Sequence, residues 1–333
     1  MTSFGADNAL GAVFRPQLPP ERLRGVVRAA DEAGLEQLWL WEDCFLESGI
    51  ATAAAALAWS ERLRVGVGLL PVPLRNVALT TMETATLRRL FPGRFAVGLG
   101  HGIQDWMGQV GARVDSPVTL LREHLDTMRA LLRGERVTVE GRYVKLDGVA
   151  LDWPPHARTS EAAPAKASAT APATDPATDP ASAPATDPVS AAASDTAVFA
   201  GARGPRSLRL SGEAADGTVL DSNTTLAGIR RARQLIDEGR AAAGRTDRHE
   251  VVHYLSTATG PDAAARLRAE LLREGHDPAT GPGVAGDAAA VAEAVGQALD
   301  AGADTVVLQP TADEPDPESF VRFAALEVRP LLR

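Results

Sequence analysis

The chain has little of what several large function classes require. One cysteine, Cys44, stands among 333 residues. Neither an intrachain disulfide framework nor a cysteine-based structural zinc site can form around it, and such usage suits a reducing compartment. Acids outnumber bases, 43 Asp and Glu against 34 Lys and Arg, for a formal net charge of −9. The basic footprint of a nucleic-acid or anionic-membrane binder is missing. No apolar run approaches the roughly 20 residues of a membrane span; the longest, Ala51 to Trp59, lies between Glu47 and Glu61 as a core helix does. Residues Met1 to Asp7 lack the basic start and long apolar run of a secretory signal, so a soluble, cytoplasmic protein is expected. The six histidines are scattered, none paired at i, i+4 with an acid between. No G-x-S-x-G nucleophile elbow is present either. Metal ligation and a serine nucleophile are not indicated.

What is present is ample core material, 45% hydrophobic residues, in an alternation of short β-type runs with longer helical patterns. The runs are Gly11–Phe14, Gln37–Trp41, Arg64–Leu69, Arg94–Gly98, Val198–Ala200, Gly217–Leu220, Val251–Thr257 and Thr305–Leu308. Helical spacing marks Pro20–Ala33, Asn76–Leu90, Pro117–Arg133, Pro205–Ala214, Thr225–Ala243, Asp262–Leu272, Asp287–Ala301 and Pro317–Leu332. Eight strands, each followed by helix, is the count of a (β/α)8 TIM barrel. An open doubly wound sheet shows the same local pattern, and strand count favours the barrel. The domain expected is a single barrel over residues 1–333.

Two stretches depart from a plain barrel. Glu135–Leu151 reads as a hairpin around Glu140-Gly141-Arg142. Ala157–Ala197 is built almost wholly from Ala, Pro, Thr, Ser and Asp, with Pro-Ala-Thr-Asp-Pro three times. It cannot bury enough apolar area to offset an ordering cost of roughly 1–2 kcal/mol per residue, so a disordered insertion within the barrel is expected there.

In a TIM barrel, reactive groups gather where strands end. After the second run come Glu42, Asp43 and Cys44, two acids and a thiol at the expected mouth. Asp43 is read as a site residue. Glu42 is open between a site role and capping a helix or pairing with an arginine. The third run carries Gly66 and Gly68 before Leu69 and Pro71; glycine inside a strand marks a bulge, a close approach by a ligand, or tight packing. The fourth leads through Gly98, Gly100, His101 and Gly102 to Trp106. This is no dinucleotide fingerprint, because Ile103 stands where the third glycine belongs and no helix is expected to begin promptly. His101 is read as a site residue. After the fifth run, Gly201-Ala202-Arg203-Gly204-Pro205-Arg206-Ser207 leads into a helix whose free amides at Arg206, Ser207 and Leu208 would favour an anion; an ordinary βα turn is the alternative.

The sequence resembles the luciferase-like monooxygenase family of flavin and deazaflavin barrel enzymes. The resemblance rests on Ala33–Asp43, Glu61–Gly68, Pro92–Gly100, Gly201–Gly212 with Ala215-Asp216-Gly217, and Ala301–Leu308, in that order. It implies FMN or coenzyme F-420 at the mouth. Asp43 would lie beside the ring, with a non-prolyl cis peptide at Gly68-Leu69 behind it, and Gly204, Arg206 and Ser207 would hold the phosphate. Pro71, Gly100, His101, Trp106 and Ala202 complete the expected cofactor contacts. In the deazaflavin-dependent sugar-phosphate dehydrogenases of the family, a histidine follows the strand-two acid and an acid stands in the strand-four loop. Cys44 and Ile103 occupy those positions here, so that proton-transfer scheme is not carried over. Asp43, His101 and Cys44 remain the catalytic candidates.

The function expected is an oxidoreductase acting on a small organic substrate by hydride transfer or oxygen activation. A non-catalytic flavin-binding barrel and a barrel gripping a phosphorylated substrate without redox cofactor are the alternatives. Expected partners are the substrate, a flavin or F-420 reductase and a second copy of the chain.

Overall fold

Strand and helix alternate from Ala9 to the C-terminal end in the computed structural model, which describes Phe4 and residues 8–155, 197–279 and 281–332. The low-complexity stretch 157–197 lies outside the described residues except for Ala197. The strands are β1 (Ala9–Val13), β2 (Gln37–Leu40), β3 (Arg64–Pro71), β4 (Phe95–Gly100), β5 (Val137–Glu140), β6 (Lys145–Val149), β7 (Val198–Gly201), β8 (Gly217–Leu220), β9 (Glu250–Ala258), β10 (Val284–Ala285) and β11 (Thr305–Pro310). The helices are α1 (Leu23–Ala33), α2 (Gly49–Trp59), α3 (Val77–Leu90), α4 (Gln104–Gln109), α5 (Pro117–Leu132), α6 (Pro205–Ala214), α7 (Leu226–Ala242), α8 (Ala263–Arg273), α9 (Ala288–Asp300) and α10 (Pro317–Phe323).

Parallel pairing runs β9-β11-β1-β2-β3-β4-β7-β8, and β8 pairs back onto β9. That closing ladder, with Gly217 opposite Glu250 and Leu220 opposite His253, makes an eight-stranded (β/α)8 barrel rather than an open sheet. Closure leaves these eight strands no free edge. The hairpin stands apart as an antiparallel pair, β5 with β6. Glu123 on α5 pins it, its carboxylate accepting from the amides of Arg142, Tyr143 and Val144 at 2.8, 2.9 and 2.8 Å.

Several helices start one residue after the position that periodicity marks, because that position is a cap. Asn76, Thr225 and Asp287 accept from Ala78 N, Gly228 N and Ala290 N with their side chains, which satisfies amides that lack an intrahelical partner. The last predicted helix is shorter than expected. After α10 the chain passes through a π turn, Ala324–Val328, and a 3-10 turn, Arg329–Leu331, where Pro330 has no amide to continue the ladder.

Two buried layers result. Outward-facing residues such as Leu10, Leu38 and Val65 pack under the helices. Inward-facing Val13, Trp39, Ala96, Phe199, Val219, Val252, Tyr254 and Val307 come from seven strands and fill the barrel. Trp39 sits edge-on to Phe199 and to Tyr254, with centroids 6.3 and 6.1 Å apart. Glycines make the room. A Cβ on Gly66 would fall 2.5 Å from the Trp39 ring, and one on Gly68 would strike the Tyr254 hydroxyl. Of the readings open for the strand-three glycines, packing accounts for Gly66 outright.

Buried neutral histidines give the fold a pH dependence. Burial, reinforced by Arg240, Arg233 and Arg245, pushes His249 down to about 3, and burial pushes His253 down to about 4. Between pH 6.5 and 4 an unfolded chain protonates both while the folded chain does not. Protons therefore favour unfolding, and each histidine costs about 1.4 kcal/mol per pH unit in that window. Glu47, raised to about 7 by burial and then by Glu21, works in the opposite direction between pH 7 and 4.5. Two histidines against one partly exposed acid leave a net loss. The urea midpoint is expected to fall from pH 6.5 to 4.5, and His253→Asn to flatten that fall.

Candidate functional site

A cavity of about 570 Å³ opens where the barrel strands end. Its walls come from residues within β3, β4, β7, β8, β9 and β11, from those that follow β1, β2, β4, β7 and β8, and from Glu274 in the chain beyond β9, as the barrel geometry requires.

The β3–β4 side is the glycine wall. Gly68, Leu69, Pro71, Gly100 and His101 line the cavity there. The β3–β4 register slips between Val67 and Leu70, so Gly68 and Leu69 sit in a bulge. A Cβ on Gly100 or Gly201 would meet the Leu69 side chain. The cis peptide expected at Gly68-Leu69 is absent; among the described residues no peptide bond is cis. A second correction concerns the strand-four loop. A short helix, α4, does begin there, at Gln104, and brings Trp106 to the cavity.

On the β2 side, Glu42 and Asp43 take different jobs. Glu42 is a clamp: Arg75 grips it with Nε and Nη2 at 2.9 and 2.7 Å, and it accepts from Gly49 N at the start of α2 at 2.8 Å. Both structural alternatives for Glu42 are therefore realised together. Asp43 accepts from Trp41 Nε1 at 2.9 Å. Burial raises its carboxyl pKa, opposed by that bond and by Arg15. Cys44 is buried and is not among the lining residues. Burial and then the neighbouring Asp43 and Glu42 raise its thiol pKa, which disfavours the thiolate a nucleophile needs. His101 lines the cavity with Nε2 buried and unpartnered, and burial lowers its pKa.

The turn after β7 supplies the anion seat. Gly204 and Ser207 line the cavity with Ala202 and Arg203. A Cβ added to Gly204 would meet only Ser207 Oγ, at 3.9 Å, so the backbone there is open to a close approach. Leu208 N does not join the expected trio of free amides, since it donates to Gly204 O at 2.9 Å as the first helical bond. The amides of Arg206 and Ser207 have no intrahelical acceptor by helix geometry. The exposed Arg206 side chain is not in the lining, and Arg203 pairs with Asp221. Asp216, just behind, anchors the turn by accepting from Val198 N and from Arg129 and Arg245.

Strand-end reasoning passed over Arg15, Asp221, Ser222, Asn223, Tyr254, Glu274 and Gln309, which also line the cavity. Arg15 and Asp221 stand within two residues of a strand end and were open to the same rule. Glu274 carried no signal. It lies at the end of α8, and β10, which follows α8, pairs with the C-terminal end of β9 at Thr257 and Ala258. Residues 259–279 and 281–286 thus form an extra unit over the mouth, and α9, rather than α8, returns the chain toward β11. Among the described residues no group of three or more His, Cys, Asp or Glu could hold a metal ion. No described helix is long and apolar enough to cross a membrane.

Residues 4–311 match the model of the luciferase-like monooxygenase family. The chain is 23% identical over 264 residues to the 5,10-methylenetetrahydromethanopterin reductase of Methanolobus tindarius, covering 79% of this chain and 69% of that one. The coenzyme F-420-dependent tetrahydromethanopterin reductase of Methanopyrus kandleri superposes with a TM-score of 0.76 at 20% identity, covering 98% of this chain and 100% of that one. The oxygenating constituent of 3,6-diketocamphane monooxygenase from Pseudomonas putida, in complex with FMN, gives 0.67 at 15% identity, with 98% and 99% covered. At these identities the superpositions speak for the fold, and the family match speaks for more: with its closed barrel and its cavity at the strand ends, this chain belongs to the luciferase-like monooxygenases, flavin- or deazaflavin-dependent oxidoreductases.

Proposed function

We propose that the chain binds FMN or coenzyme F-420 at the barrel mouth and uses it to reduce, or to oxygenate, a small organic substrate. The observation that carries this reading is one cavity holding both a glycine wall at Gly68-Leu69 and an open helix start at Gly204–Ser207. The residues fit the group. A flat ring finds a wall with little side-chain obstruction, and a phosphate finds two amides at the positive end of α6. His101 Nε2 and Tyr254 Oη are buried polar atoms without partners that face the same space, and a bound ring or substrate can satisfy them. When bound, the cofactor supplies hydride or activates oxygen.

The chain's own groups position and protonate. Gly68, Leu69, Pro71, Gly100 and Trp106 orient the ring and exclude water. Gly204, Ser207 and the Arg206 amide hold the phosphate, with Ala202 beside them. Asp43, whose carboxyl pKa burial raises, and His101, whose pKa burial lowers, are the groups placed to give or take a proton, at Oδ and at Nε2. Deazaflavin is favoured over FMN by the relatives named as F-420-dependent and as methylenetetrahydromethanopterin reductase. Titrating the purified protein separately with FMN and F-420 is expected to give a saturable absorbance change with one of them. A protein that binds neither overturns the proposal.

The chain is further expected to pair with a second copy through α3, whose exposed face carries Leu79, Met82 and Leu90. Light scattering after gel filtration checks this, with a dimer mass for the wild type and a monomer shift for Met82→Glu as the expected result.

A further inference from the structure

We infer that the side of the mouth formed by the chain after β8 and β9 is the substrate's recognition site, and that Glu274 there accepts a hydrogen bond from a nitrogen-bearing group, an ammonium or an N–H donor, on the substrate. The inference rests on the proposed cofactor site, since it concerns the space that site leaves. Barrel order places β9 four strands from β3 in either direction round the ring, so the glycine wall and Glu274 face one another across the cavity.

Glu274 lines the cavity with Oε2 buried and without a hydrogen-bond partner. The cations around it are committed. Arg15 Nη1 donates to Glu270 at 2.6 Å and to Pro310 O at 2.9 Å. Arg273 also pairs with Glu270, and Arg203 pairs with Asp221. His276 Nε2 sits 2.5 Å from Asn223 Oδ1. Glu274 thus meets the cavity with acids as near neighbours: burial and then Glu270 and Asp221 raise its carboxyl pKa, opposed by Arg15 and His276. Tyr254, only 4% exposed, also lines the cavity, but its unpartnered hydroxyl lies against Gly68 on the opposite, glycine-wall side. On the β9 side the acceptor left for a ligand is Glu274 Oε2.

An anionic substrate would place like charge against Glu274, whereas a nitrogen donor gains a charge-assisted bond. Trp41, also in the lining, gives an apolar, aromatic-bearing ligand its packing surface. This separates the chain from an enzyme that recognises a phosphorylated or carboxylated substrate.

The test is a matched set of probes on one skeleton: benzylamine, benzyl alcohol and benzoate. Their binding is measured by calorimetry on the purified protein, with and without the cofactor that titrates. Benzylamine is expected to bind at least about tenfold more tightly than benzoate, about 1.4 kcal/mol. Glu274→Gln, which keeps the shape and removes the charge, is expected to collapse that ratio to within about threefold, about 0.65 kcal/mol. Glu274→Asp is expected to keep part of it, and thermal melts establish that each variant is folded. Benzoate binding as tightly as benzylamine, or a ratio unchanged in Glu274→Gln, overturns the inference. Failure of FMN and F-420 to bind is read in the separate titration and overturns the cofactor proposal, leaving the probe ratio to be judged on its own.

Discussion

Ser207→Asp is expected to weaken cofactor binding by well over about tenfold, at least about 1.4 kcal/mol, while leaving the fold as stable as before. Ser207 is buried in the first turn of α6, and its hydroxyl donates to Gly204 O at 3.0 Å. No acid stands in that turn, so the positive end of the helix is left for an anion. A carboxylate at this position occupies the seat electrostatically and repels a phosphate. The same carboxylate interacts favourably with the positive end of the helix, which offsets the cost of placing a charge in that buried turn. Lost affinity with an undiminished melting temperature is therefore the signature expected from FMN or F-420 titration beside thermal melts. Unchanged affinity for the cofactor would place its phosphate elsewhere.

Gly239→Val is expected to be among the most destabilising single substitutions in the chain. Helices α6 and α7 meet backbone to backbone. A Cβ on Gly239 would lie 2.9 Å from the Arg209 Cα and carbonyl carbon, and one on Gly212 would lie 2.9 Å from the Ile236 carbonyl carbon. No flexible side chain can yield at either point, so the helices must separate. Overpacking typically costs about 1–3 kcal/mol, occasionally more, and a rigid backbone contact belongs at the upper end. Because α6 carries the anion seat, the cofactor titration is expected to weaken in parallel with the urea midpoint. A Gly239→Val protein that melts like the wild type would mean that the α6–α7 contact can open without loss of stability.

Much of this architecture was legible from local patterns. Alternating periods located all eight barrel strands, and Gly217–Leu220 and Pro205–Ala214 match the structure at both ends. Strand-end position points to Asp43, His101 and the Gly204 turn, and the structure brings all of them to one cavity. The misses share a cause. Gly66 reads as a possible ligand wall until Trp39, 27 positions away in the chain, is seen to fill the space in front of it. The α8 segment reads as a barrel helix because its spacing is correct, and only the pairing of β10 with β9 shows that it sits over the mouth. Cys44 and Arg206 were named for their sequence neighbours, and the cavity does not include their side chains.

The sequence by itself determined the barrel and its family, because strand and helix periods, caps such as Asn76 and Asp287, and strand-end glycines are written in consecutive residues. Tertiary structure alone decided which groups share the mouth. Arg15 meets Glu270 across 255 positions, and Glu274 and Tyr254 are left without partners only once β8 closes onto β9. Closure excludes water from one set of polar atoms and commits most of the nearby cations to other acids. No local pattern records which atoms remain unsatisfied, and one of them, Glu274 Oε2, carries the substrate inference.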